Sequence, residues 1–341
     1  MVLKKYVFLL LIPLLGMGLI NFAPPDWNED TPVQEVLEYL GESKPGHSLL
    51  VGNEDKNMLI QRGEEIVKRG RTIGPDGSKS KFVSKHYVCT SCHNLVQEDP
   101  DLKSRDPEAR LDYAIEKQLP FLQATTFHGI VNRESWYNDD YYKKYGEFVK
   151  PARESLREAI QLCATECAQG RLLEDWEMDA VLAYYWSLEF KLGDLEMNSE
   201  QMKSLKNLSE NTRTQQDAKE LLKSFYMQKS PATFGDAPPD KIAGYGLKGD
   251  EERGKSIYTL ACLHCHKEGG VSKYTLDHGK LSLRHIRKKI PQDSHMSLYQ
   301  IVRYGTYALP GHRPYMPHFP LERMSNQQLE DLRAYIEFGA R

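Results

Sequence analysis

One five-residue pattern occurs twice, as Cys89-Thr90-Ser91-Cys92-His93 and as Cys262-Leu263-His264-Cys265-His266. No other feature constrains the chain as tightly. Two cysteines three positions apart, followed at once by a histidine, put two thiols and an imidazole on one helical turn. The thiols can then bond to the two vinyl groups on one edge of a porphyrin, while the imidazole turns onto the iron from the same side. A redox dithiol or half of a zinc site also uses C-x-x-C, but neither explains a histidine in the same place twice. The pattern therefore predicts two covalently bound haem c groups. Cys89, Cys92, Cys262 and Cys265 would be the attachment thiols, and His93 and His266 the axial ligands.

The flanking sequence supplies a frame around each motif. Before the second comes DEERGKSIYTLACLHCH, with Gly254 and Tyr258 spaced for one face of a helix. After it, Ser325 is placed to cap a final helix whose apolar stripe is Leu329, Leu332 and Ile336. This frame resembles a class I cytochrome c domain. The resemblance implies that Gly254 lets an aromatic of the last helix, Tyr335, cross close by. The same layout precedes and follows the first motif, with Gly63 in the place of Gly254 and Trp176, Val181, Leu182 and Tyr185 as core of a closing helix. The expected fold is all-α, two class I cytochrome c-like domains in tandem over residues 51–195 and 246–341. Residues 24–50 read as a linker. Residues 196–245 read as a second one, polar and helical at first, then extended through Pro231, Pro238 and Pro239.

At the N-terminus, Lys4 and Lys5 precede an apolar run from Tyr6 to Ile20. Residues 1–23 have the layout of an export signal, either cleaved or retained as an inner-membrane anchor. The remainder would then be periplasmic. A net charge of −3 gives no reason to expect nucleic acid as a partner.

The sixth ligands differ between the motifs. Met316, in YMPHF, stands in the loop ahead of the final helix, where a thioether suits a low-spin iron. Met296 and Met324 are the competing donors, and His312 and His318 read as surface or supporting residues. No methionine lies between His93 and Met178, and Met178 falls in the closing helix, where it would join the core. The donors left for the first iron are His128 and the pair Cys163 and Cys167 in LCATECAQGR. The cysteines occupy the part of the chain that Met316 occupies in the second domain, which favours thiolate ligation, with Arg171 near enough in sequence to steady the charge. A disulfide or two buried thiols is the other reading of that pair.

GEEIVKRGRTIGPDGSKS, then C-x-x-C-H, then CATECAQGR ahead of a closing helix, resembles the N-terminal domain of dihaem thiosulfate dehydrogenases and the related Sox-type sulfur-oxidising cytochromes. The resemblance implies a His/Cys-ligated first haem as the reaction centre, with Cys163 as the ligand and Cys167 as an extra cysteine, and a second haem that passes electrons on. Two functions follow. One is an electron carrier with a redox protein partner. The other is a thiosulfate dehydrogenase-like enzyme acting on a small sulfur anion. For the anion, Arg171 and the run Arg284, Arg287, Lys288 and Lys289 are candidate cations, although that run also suits docking of a redox partner. No residue is singled out as catalytic.

Overall fold

The computed structural model describes residues 26–50, 55–206, 212–292, 296–306 and 315–341. The export segment read at 1–23 and His312 lie outside the described residues. The described chain is all-α, with no strand among the described residues. Among them, no helix is long and apolar enough to cross a membrane.

After α1 (Val33–Tyr39), α2 (Lys56–Arg69) leads to the first motif. Asp55 caps α2 by accepting from the Asn57 amide at 2.9 Å, and Gly70 ends it in the left-handed region. Helices α3 (Pro107–Lys117), α4 (Asp139–Tyr145), α5 (Val149–Glu154) and α6 (Leu156–Leu162) follow, and α7 (Asp175–Trp186) closes the first half. Then come α8 (Ser199–Lys206) and α9 (Thr212–Lys223). The second half holds α10 (Glu251–Ile257), α11 (Leu263–His266), α12 (Lys280–Arg287), α13 (Leu298–Tyr304) and α14 (Asn326–Gly339).

The internal repeat is visible as two matching helix crossings. A Cβ built on Gly63 of α2 would stand 1.9 Å from the Ala180 carbonyl oxygen of α7, and one on Gly254 of α10 would stand 1.9 Å from the Asp331 carbonyl oxygen of α14. Only glycine permits backbones that close. Tyr184 and Tyr335 take equivalent places across the two contacts. Ser325 caps α14 as expected, accepting from the Gln328 amide at 3.0 Å while the Gln328 side chain accepts from the Ser325 amide. Leu329, Leu332 and Ile336 are buried, as are Val181, Leu182, Tyr185 and Met178. Trp176 differs from expectation: it is half-buried, with its indole N–H donating to Glu174 at 2.8 Å.

Apolar side chains gather in three clusters. The first joins α2 and α7 around the first motif, and the second joins α10 and α14 around the second. Leu111, Ala114 and Phe121, which follow the first motif in sequence, bury themselves in the second cluster. The third joins Trp27 and α1 to Phe190, Leu192 and α9. Much of the chain read as linker is thus packed, because Val33, Val36, Leu37, Leu222 and Phe225 form an apolar face of their own.

Candidate functional site

Each motif opens onto a cavity. The first is lined by Cys89, Cys92 and His93, and across from these by Cys163, Cys167, Tyr137, Tyr141 and Tyr145. The second, about 690 Å³, is lined by Cys262, Cys265 and His266 with Met296, Met316 and Met324. The structure therefore brings together both cysteines with the first motif and all three methionines with the second. Met324 is almost fully buried, Met316 is half-buried, and Met296 is exposed at the rim.

His93 Nδ1 pairs with the Thr125 carbonyl at 2.5 Å and His266 Nδ1 with the Tyr274 carbonyl at 2.7 Å. Each bond holds the ring through one nitrogen and leaves Nε2 available. Burial lowers both imidazoles, His93 to about 4. Burial likewise raises the motif thiols, Cys89 to about 11 and Cys262 to about 12. None of them is paired in a disulfide, and no three His, Cys, Asp or Glu residues cluster to hold a metal among the described residues.

Cys163 and Cys167 lie on a widened turn continuing α6, closed by the Ala168 amide donating to the Cys163 carbonyl at 2.7 Å. Such π-turns re-aim side chains and recur at functional sites. The two thiols are hydrogen-bonded and not paired as a disulfide. That bond draws Cys167 down to about 7, helped by Tyr145 and Lys144, and pushes Cys163 up. Arg171 is not the supporting cation. It forms a two-pronged ion pair with Glu177 at 2.6 Å, six residues along. The cation beside Cys167 is Lys144, lowered to about 8 by burial and joined to His318 Nδ1 at 2.6 Å. His318, expected near the surface or as a supporting residue, is buried and reaches the first cavity. His128 does not line it and stands 3.5 Å from Asp194.

Behind the first cavity lies a buried charge cluster. Glu98 takes both prongs of Arg323, at 2.7 and 2.8 Å, with Arg110 at 3.5 Å, and Asp99 pairs with Arg105 at 3.4 Å. Arg133, also buried, donates only to the hydroxyls of Ser230 (2.7 Å) and Thr125 (2.9 Å), with no ion pair among the described residues. These four guanidiniums against two carboxylates leave an excess of positive charge, and a buried charge without a counter-ion is costly. Two propionates of a haem would balance it. The donors and charges thus suit haem c at the first motif.

The family model for the cytochrome c oxidase cbb3-type subunit III matches residues 249–336. The C-terminal half carries a cytochrome c domain. Such a domain binds haem c covalently and passes electrons to a protein partner. The match spans about a quarter of the chain. A search of curated proteins finds no match.

Sequence reasoning missed Tyr137, Tyr141, Tyr145, Lys144 and Tyr87. The first four lie in the stretch RESWYNDDYYKKYGEF, whose tyrosines recur at near-helical spacing, the one signal that could have pointed to an aromatic wall.

Proposed function

We propose that the chain is an exported dihaem c-type cytochrome that moves electrons between its two sites and a redox protein partner. The observation carrying this reading is that the two motifs touch. Cys265 Sγ lies 3.9 Å from the Ser91 carbonyl, and Tyr87, Gln123, Tyr315 and Pro317 line both cavities. Haem c supplies one-electron transfer when bound. His93 and His266 would hold the irons, with Met316 as the further donor at the second site and Cys163 at the first. Held on an iron, Cys163 would be the deprotonated thiol of the pair, since a coordinating thiol is deprotonated outright. His285 and Lys289 at the rim of the second cavity, with Arg284 and Arg287 of α12, suit an acidic partner surface. Residues 1–23 export the chain and are cleaved or hold it at the inner membrane. The test is intact mass of the mature protein, which shows two covalent haems, falling to one in a Cys262→Ala, Cys265→Ala variant. One haem or none in the wild type refutes the reading.

A second reading is thiosulfate dehydrogenase-like oxidation of a small sulfur anion at the first site. It is favoured by Lys144, a cation beside Cys167 with no ion pair among the described residues. Thiosulfate-dependent reduction of the purified protein, lost in Lys144→Met, supports it, and absence of that reduction in the wild type removes it.

A further inference from the structure

The loop carrying Met316 belongs to the second half, yet its main chain is held from the first. Consider the peptide between Tyr315 and Met316. Its carbonyl oxygen accepts from the Tyr87 hydroxyl. Its N–H donates to Thr306 Oγ1 at 2.7 Å. Both polar groups of one peptide plane are therefore fixed, one by each half of the molecule. That plane sets the direction in which the Met316 side chain leaves the backbone.

A second hold lies one residue earlier. The Tyr315 amide donates to the Gln169 side-chain oxygen at 3.3 Å. Gln169 sits in the left-handed region at φ 53°, directly after the turn that carries Cys163 and Cys167. The Ala168 carbonyl of that turn accepts from Ser84 Oγ at 2.5 Å, and the Gly170 amide donates to the Ala164 carbonyl at 2.9 Å, so Gln169 is fixed on both sides. Within its own half, the loop is tied back by the Thr306 amide donating to the Met316 carbonyl at 2.8 Å.

We propose that Tyr87 and Gln169 are positioning residues for Met316, so that the turn presenting the cysteines to the first site also sets the thioether geometry of the second. The inference rests on Met316 as the second site's ligand. Thioether ligation is read from a weak near-infrared sulfur-to-iron band and from the potential of the corresponding redox wave. Both can be followed in full-length holoprotein.

Three variants test it: Tyr87→Phe, which keeps the ring and removes only the hydroxyl; Gln169→Ala, which removes the acceptor; and Gln169→Glu, which keeps one. Tyr87→Phe and Gln169→Ala are expected to weaken the band and shift the upper wave, while Gln169→Glu retains the wild-type band. Either of the first two matching wild type in both readouts overturns the clamp, as does equal loss in Gln169→Glu and Gln169→Ala. A wild-type protein without the band, or one whose band survives in Met316→Ala, shows instead that Met316 is not the ligand, and the inference falls with that assignment.

Discussion

At the scale of single residues, the chemistry turns on which sulfur faces which iron. Cys163 and Cys167 face the first cavity together and share a hydrogen bond, so only one needs to become the ligand. A thiolate stabilises ferric iron, so thiolate ligation at the first site would place its potential below that of a Met316-ligated second site. Cys163→Met is expected to raise the lower of two potentiometric waves and to leave the upper nearly unchanged. If Cys163→Ala keeps the low-spin thiolate pattern in electron paramagnetic resonance while Cys167→Ala loses it, the ligand is Cys167. Glycine residues decide the packing at the same scale. Replacing Gly by Ala inside a helix ordinarily stabilises by about 1 kcal/mol. At Gly254 the new methyl would meet the Asp331 carbonyl and the Tyr335 Cβ, and overpacking of this kind costs about 1–3 kcal/mol. Gly254→Ala and Gly63→Ala should both lower the thermal midpoint of the holoprotein. A rise in either midpoint would show that the crossing helices can separate without loss.

Among the elements, α14 depends on its first turn. Ser325 closes the capping box with Gln328 and also donates to Glu108 at 2.5 Å, tying the helix start to α3. Ser325→Ala removes a cap worth about 1 kcal/mol, so denaturant unfolding of the variant should shift its midpoint downward with little change in slope. This cap was readable from the sequence, as were the paired glycines and the stripe Leu329, Leu332 and Ile336, because each is a local pattern with a local cause. The placement of α3 and α4 was not. Periodicity tells that Leu111 and Ala114 are buried, not that they share a cluster with Ile257 and Leu332 of the other half. It does not tell that the tyrosines around α4 face a cavity. Arg171 is near the cysteines in sequence, yet its partner is Glu177, six residues further on. His318 owes its place to the fold, which carries it to Lys144, 174 residues earlier in the chain.

Across the whole molecule, Glu98 and Arg323 connect the halves through 225 residues of separation, fully out of water. Glu98→Gln leaves Arg323 and Arg110 without their shared carboxylate, a change that typically costs about 3–5 kcal/mol. Its acid dependence follows. Burial alone would raise the Glu98 carboxyl, but the Arg323 and Arg110 guanidiniums outweigh it and hold the carboxyl far below its usual range. The unfolded chain binds that proton near pH ~4.3, so the stabilisation is complete above that value and is lost as pH falls below it. Acid titration of the wild type should therefore show a destabilisation that is smaller in Glu98→Gln. Equal acid sensitivity in the two proteins would assign the effect to other carboxylates.

The contact between the motifs also orders events in time. Cys92 and Cys265 are half-buried near where the halves meet, each lining its own cavity, and Tyr87 and Tyr315 line both cavities. Once that seam has formed, a bulky macrocycle would reach either inner thiol only through its own cavity mouth. Attachment before docking would therefore meet the wider approach. A chain that docks prematurely would linger as a compact, colourless product, recognisable as a protease-resistant species without covalent pigment.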